Sequence, residues 1–349
     1  MRLKQGSYEP KRETSDADAR RILVIELWNI GDIVLTMPFL AQLRARFPLA
    51  SVTLLARPLA AEILAGTGLI DDIIAADLTW TRGNGLQLSS KTIGFVRALK
   101  RVRAGRFDVA FSARPHRRER LLLALSGARR TLGLRAEEHG ARNSHKVQDW
   151  MRLLEPFGLS PDAVPTPRLF ITDGERVWAR SYLSSRGVLQ KDLLIGIHPG
   201  ASLPQKRWPL AGFRDVAVAL SAQPGTRTLA FAEPTGYGME LFDLPEIVPA
   251  RVSLREMIAL TAECDLMVCN DSGPMHIAAA LGVPTVAMFG ARIDRWFAPL
   301  GDNHEILRPE SIAVERGISS PVGIDTAAVI DAVGRTLRRL RGSDTFTDA

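Results

Sequence analysis

The sequence predicts an α/β protein of two doubly wound halves facing each other across a central cleft, and three observations predict it. Apolar runs of strand length do not alternate with polar residues, the pattern of parallel strands buried on both faces. Stretches with apolar residues at helical spacing separate those runs, so strand, crossover helix and strand recur. At 349 residues the chain exceeds one typical domain and fits two of ordinary size.

Composition narrows the class. Hydrophobic content of 46% and charged content of 24% are those of a soluble globular protein. No apolar run approaches the roughly 20 residues that span a bilayer. The opening MRLKQGSYEPKRETSDADAR lacks an apolar signal core, so residues 1–20 read as a flexible extension and secretion is not expected. Cys264 and Cys269 are five apart, with no second pair and no histidine at ligand spacing. They read as reduced, buried thiols of a cytoplasmic protein, and no metal is expected. A net charge of +7 and a pI near 9.8 imply an acidic partner: nucleic acid, anionic lipid, or a phosphorylated or carboxylated small molecule.

Taken in order, 21–28 (RILVIELW) is a strand that runs into the turn Asn29-Ile30-Gly31-Asp32 and a helix over 33–47, which Pro38 should kink or restart. The turn has one glycine and lacks G-x-G-x-x-G, which counts against nicotinamide and flavin cofactors. Asp32 lies where a parallel strand meets its helix, the usual ligand crevice of such sheets, although a capping role alone also explains it. Residues 51–56 form a strand, 58–64 a helix, and Ile73 and Ile74 begin another strand. The loop 81–90 precedes a basic helix over 91–102 with Ile93, Val96, Leu99 and Val102 on its inner side. That helix reads as the solvated face of a crossover, with docking on an anionic membrane surface as the alternative.

The strand 107–113 empties into the densest basic region of the chain. Arg114, His116, Arg117, Arg118, Arg120, Arg129, Arg130, Arg135, Arg142, His145 and Lys146 face only Glu119, Glu137 and Glu138. Arginine forks match carboxylates and phosphates, so Arg114, Arg117, Arg118 and Arg120 are assigned to an acidic acceptor. Interleaved aromatics and nucleic-acid motifs are missing, so nucleic acid is not expected. A helix over 147–157 ends near Gly158, and the proline-bearing segment 159–174 reads as an interdomain linker. A helix over 173–187, a strand over 193–198 (LLIGIH), a helix over 210–221, a strand over 228–231 and a helix over 254–263 follow.

The stretch CDLMVCNDSGPMHIAAALGVPTVAMFG, residues 264–290, is the most informative. It parses as a strand, an Asn-Asp-Ser-Gly turn, a helix with Pro274 in its first turn, and a second strand over 284–289. Backbone N–H groups at such a helix start suit a phosphate. Asp271 and Ser272 also serve as ordinary caps, and His276 in the first helical turn also reads as structural. Ser272 lies outside any G-x-S-x-G, so a serine hydrolase is set aside. A basic, amphipathic helix over 326–340 ends the fold.

Three segments together, LWNIGDIVLTMPFLAQLRARFP, IGIHPGASLPQKRWPLAGF and the 264–290 stretch, resemble glycosyltransferase family 9, the bacterial lipopolysaccharide heptosyltransferases. The likeness runs from about residue 21 to 340. It implies a GT-B architecture: a Rossmann-like acceptor domain at 21–172, a Rossmann-like nucleotide-sugar domain at 173–325, and a C-terminal helix and tail at 326–349. It implies inverting, metal-independent transfer from a nucleoside-diphosphate sugar, with ADP-heptose favoured, to an acidic saccharide or glycolipid acceptor, with no cofactor. Asp32 matches the family's catalytic base, and Lys206 the lysine that neutralises the donor phosphates. Asp271, Ser272, Gly273 and His276 match the motif holding nucleotide and pyrophosphate, with Ser202 beside it. Glu233 is the candidate ribose ligand, in a segment departing from the family's Gly-Gly-Pro turn. The enzyme is expected in the cytoplasm, with room for peripheral contact at the inner face of the inner membrane. A non-catalytic nucleotide-sugar binder of the same fold, and a basic nucleic-acid binder, are the alternative readings.

Overall fold

The computed structural model describes residues 19–76, 90–134, 145–290, 294–310, 314–315 and 318–341. The expected extension at 1–20 (save its last two residues), the loop 81–90 (save Ser90), and Arg135, Glu137, Glu138 and Arg142 lie outside them.

The first half runs β1 (Arg21–Glu26), α1 (Ile30–Arg46), β2 (Ser51–Ala56), α2 (Leu59–Leu64), β3 (Asp72–Ala75), α3 (Ser90–Ala104), β4 (Val109–Ser112), α4 (Arg117–Leu125), β5 (Arg130–Gly133) and α5 (Lys146–Arg152). The second half runs α6 (Asp173–Ser184), β6 (Leu193–His198), α7 (Leu210–Ser221), β7 (Thr226–Phe231), β8 (Ile247–Ala250), α8 (Leu254–Thr261), β9 (Leu266–Asn270), α9 (Gly273–Ala280), β10 (Thr285–Met288), α10 (Asp294–Phe297), β11 (His304–Leu307) and α11 (Thr326–Arg341). Their strands form two sheets, ordered β3-β2-β1-β4-β5 and β11-β10-β9-β6-β7-β8. Every pairing within these two sheets is parallel.

Each order reverses once, between β1 and β4 in the first sheet and between β6 and β9 in the second. Loops leaving the C-terminal ends of strands at such a reversal enclose a crevice. The segments leaving β1 and β4 carry Asp32, in the first turn of α1, and Arg114; those leaving β6 and β9 carry Lys206 and Asp271–Gly273, the last opening α9. Both reversals therefore point candidate residues at one place.

Central strands are buried on both faces, as their unbroken apolar runs require: β4, β6 and β9 are buried throughout. The strands that pattern reading missed, β5, β8 and β11, are all sheet edges. The edge strands β5 and β11 are only partly buried, so RTLG and HEIL show no apolar run, and IVPA is interrupted by Pro249. Pro249 is tolerated in β8 because an edge leaves one row of N–H groups unpaired. Three further expectations are corrected. Asn29–Asp32 is the start of α1 rather than a turn before it, and α1 passes unbroken through Pro38, which is buried. Val96 lies outward on α3, 44% exposed, while Ala98 and Val102 face the sheet. Along the segment 159–174, the Leu169 N–H donates to the Ala280 carbonyl, 3.0 Å.

The halves meet in a continuous apolar core. Ile258, Ile277 and Ala280 pack in one cluster with Phe39, Phe111 and Trp150 of the first half. Arg255 on α8 staples the seam, donating to the carbonyls of Glu62 on α2 and Phe170, at 3.0 and 3.1 Å, and pairing with Glu175 on α6. Helix α11 packs on α7 and against β10 and β11.

Helices α1 and α9 cross closely at their N-terminal ends through two glycines. A Cβ on Gly31 would stand 2.7 Å from His276 Cδ2, and one on Gly273 2.7 Å from Ile30 Cβ. Helix propensity alone favours Gly31→Ala by about 1 kcal/mol. We expect instead a net loss of about 1–2 kcal/mol in urea unfolding, because the added methyl must displace a packed imidazole. A net gain would show that the seam opens without cost.

Candidate active site

Asp32 occupies the third position of α1. Its Oδ2 accepts the Asn29 N–H at 3.2 Å, tying the helix start, and its Oδ1 accepts from Nη2 of Arg114. The two oxygens therefore have different partners, one tying the helix start and one facing Arg114. Arg114 arrives from the loop after β4 and is 6% exposed, its guanidinium 4.9 Å from the Trp28 ring centroid. Trp28 is held in turn by Glu119, which accepts its indole N–H at 3.2 Å, and by stacking on His116. Behind Arg114 lies Glu26, the fully buried last residue of β1, with Oε2 3.6 Å from the arginine Nε and Oε1 accepting the Trp28 N–H at 3.1 Å. Burial pushes the Glu26 carboxyl up to about 7; Arg114 opposes the shift and Asp32 adds to it. Burial also works against the charge of Arg114, but Asp32 and Glu26 outweigh it and raise that group above its usual value.

The opposite wall is built on Asn270, the last residue of β9. Its Oδ1 accepts the Trp208 N–H at 2.9 Å and its Nδ2 donates to the Pro199 carbonyl at 2.7 Å, pinning the loop after β6 at both ends. The Trp208 indole donates to the Ile324 carbonyl at 3.0 Å. Lys206, between those anchors, donates to Asp271 Oδ2 at 2.6 Å, and its ammonium lies 5.6 Å from the Phe297 ring centroid. Burial raises the Asp271 carboxyl, Lys206 counters it, and the charges of Asp32 and Asp294 add to the rise. The influence of Asp32 on Asp271 follows from their approach across the cleft.

Ser272 caps α9 by position, with an extended backbone but no side-chain capping bond, and its Oγ is buried without a hydrogen-bond partner. Every residue of α9 from Met275 to Ala280 is buried. His276 is pushed down to about 3 by burial, helped by the neighbouring charge of His145, so it stands as a neutral ring against Gly31. His145 caps α5, its Nδ1 accepting the Val147 N–H at 3.3 Å, and so carries its proton on Nε2, which donates to the Ala298 carbonyl at 2.9 Å.

The structure brings Asp32, Arg114, Lys206, Asp271, Ser272, Gly273 and His276 together. Glu233 is half-buried beside them, paired with Arg207 at 2.8 Å and covering Gly200, where a Cβ would meet its Oε1 at 2.4 Å. Ser202 is exposed on the same loop, and Arg117, Arg118 and Arg120 are exposed along α4. Arg114, expected at the acceptor, has its guanidinium engaged by Asp32 and Glu26. Sequence reasoning missed Glu26, Asn270, Arg207 and the buried Lys146–Asp149 pair, at 2.9 Å. A charged residue at the end of a wholly apolar strand, as in RILVIE, was the available signal for Glu26. Chemically, the arrangement sets a carboxylate opposite a lysine, an unpartnered hydroxyl and the start of a helix. That suits proton acceptance on one side and phosphate binding on the other.

Comparison with known proteins agrees with the two-sheet fold. The family model for glycosyltransferase family 9 (heptosyltransferase) matches residues 123–320, more than half of the chain. Lipopolysaccharide heptosyltransferase 2 of Escherichia coli K12 is 26% identical over 318 residues, covering 82% of this chain and 88% of that protein. The crystal structure of the glycosyl transferase family 9 from Veillonella parvula superposes with a TM-score of 0.78 at 24% identity, covering 93% of this chain and 99% of that one. The E. coli ADP-heptose lps heptosyltransferase II gives 0.71 at 20% identity, covering 93% and 100%. The two-sheet GT-B fold is thereby established.

Buried neutral histidines make the fold acid-sensitive. His198 is pushed down to about 4 by burial, its Nδ1 accepting the Gly200 N–H at 3.2 Å. Below pH 6.5 the unfolded chain gains a proton there that the folded chain refuses until about pH 4, so stability falls as pH drops through that window. His198→Gln, which keeps an acceptor, should lose less stability between pH 7 and 5 than the wild type, by about 2 kcal/mol in urea titrations. Equal losses would show that His198 titrates normally.

Proposed function

The chain belongs to glycosyltransferase family 9 and is a glycosyltransferase, and from that premise we propose that it moves a sugar from a nucleoside-diphosphate sugar to an acidic saccharide or glycolipid. ADP-heptose is the favoured donor and lipopolysaccharide the favoured product, because the E. coli relatives carry those words in their names. The observation that carries the reading is the meeting, at the reversals of both sheets, of Asp32 with Lys206 and the Ser272–Gly273 loop.

In this mechanism an acceptor hydroxyl oxygen attacks the anomeric carbon while its proton passes to Asp32. The bond from that carbon to the diphosphate oxygen breaks, and the electron pair leaves with the diphosphate. A single in-line displacement inverts the anomeric centre. Charge gathers on the leaving diphosphate in the transition state. Lys206, the Ser272 hydroxyl and the N–H groups opening α9 stabilise it without requiring a metal. Asp271 holds Lys206 in place and Arg114 orients Asp32. Arg207 and Glu233 line the side where a ribose would lie, and Arg117, Arg118 and Arg120 offer charge to the acceptor's anionic groups.

A glycolipid acceptor requires approach to a membrane. Among the described residues no helix is long and apolar enough to cross one. Helices α3 and α4 instead cover the same face of the first sheet and expose Arg97, Lys100, Arg103, Arg117, Arg118 and Arg120. Val96 and Leu121, 44% and 55% exposed, stand among them, a composition suited to peripheral contact with anionic lipid. Binding to phosphatidylglycerol vesicles should weaken with salt and with Leu121→Asp; equal binding to neutral vesicles would refute an electrostatic contact.

The functional test is a transfer assay paired with thermal shifts. Asp32→Asn should lower kcat by about 100-fold or more while ADP still stabilises the fold. Lys206→Ala should lose most of the ADP-induced shift. Near-normal turnover by folded Asp32→Asn would overturn the assignment of the base.

A further inference from the structure

We propose that Glu26 is a positioning residue of the transferase site: from behind Arg114 it fixes that guanidinium and offsets the positive charge that Arg114 imposes on Asp32. The inference rests on the reading of Asp32 as the base.

The geometry makes Arg114 a shared counter-ion. Its Nη2 meets Asp32 on α1, its Nε faces Glu26 Oε2 at 3.6 Å, and its plane lies on Trp28. The groups facing Glu26 are Arg114 from the loop after β4, Asp32 from α1, the Trp28 N–H, and Lys146 from α5, itself paired with Asp149. Glu26 Oε2 and Arg114 Nε are both buried and lack a hydrogen-bond partner. A fully buried carboxylate served this poorly is a burden on stability, since the loss of hydration exceeds what a long ion pair returns. Its compensating role lies at Asp32. A carboxylate bound to an undivided arginine charge is a weak proton acceptor, and a second anion on the same arginine restores its basicity. The burden and the benefit thus fall on different properties, stability and turnover, which makes the role separable by experiment.

The test compares wild type with Glu26→Gln, which keeps the acceptor for the Trp28 N–H and removes the charge. Above pH 7, where the wild-type Glu26 carboxyl is ionised, the kcat of Glu26→Gln should fall about tenfold or more, with donor KM within about twofold. Well below pH 7, where that carboxyl is protonated, the two rates should converge. Stability should move the other way. With the Glu26 carboxyl raised from 4.5 to about 7, wild type loses stability relative to the variant as pH rises through that window. Glu26→Asp, retaining the charge, should keep the rise in kcat through pH 7, and it decides the matter if Glu26→Gln does not fold. Unchanged kcat above pH 7 would overturn the proposal, as would a fall in kcat of the same size at every pH, the signature of a merely structural residue. Should wild type transfer no sugar, the functional reading is what fails. The coupling is then read from the Arg114 Nε–H resonance in 15N NMR, which shifts in Glu26→Gln if the groups are coupled and stays in place if the proposal is wrong.

Discussion

The close crossing of α1 and α9 is the constraint on which the rest depends. Gly31 lies against the His276 ring and Gly273 against Ile30, so the two helix starts approach where side chains would hold them apart. Each helix begins at the C-terminal end of a strand beside its sheet's reversal. Bringing those starts together therefore sets the end of one crevice against the end of the other. The surrounding seam of Ile258, Ile277 and Ala280, with the contacts of Arg255, makes the approach a packed interface. A crevice divided between two sheets thereby gains a fixed spacing between its walls.

Charge in this cleft is arranged in linked pairs. Asp32 is held by Arg114, Arg114 is backed by Glu26, and Lys206 is held by Asp271. These are buried or half-buried groups, where removing one partner leaves the other uncompensated and screening by solvent is weak. His276 and His198 remain neutral among them because burial disfavours their charged forms. The wall built on β9 thus presents Lys206 paired with Asp271, while the wall built on α1 presents a carboxylate paired with arginine.

Much of this was legible in the sequence. RILVIE, LLIGIH and LMVCN announced central parallel strands because burial on both faces suppresses alternation. The Asn-Asp-Ser-Gly-Pro turn announced a helix start suited to an anion. Edge strands were not legible, since half-burial leaves HEIL and RTLG without an apolar run. The extent of α1 was misread because Gly31 and Pro38 normally interrupt helices; here Gly31 serves a crossing and Pro38 is buried. Arg114 was singled out in the sequence but not its partners, for pairing with Asp32 and Glu26 joins a loop, a helix start and a strand end that only the folded sheet brings together. Asn270 was hidden for the same reason: its partners, Trp208 and Pro199, are more than sixty residues away.

The most direct measurement is a crystal structure of the protein with ADP bound. The account expects the terminal phosphate within hydrogen-bond distance of Lys206 Nζ and the Ser272–Gly273 backbone, with Asp32 facing the open side of the cleft. A diphosphate bound instead along the arginines of α4, with Lys206 still held by Asp271 and the α9 start unoccupied, would contradict it.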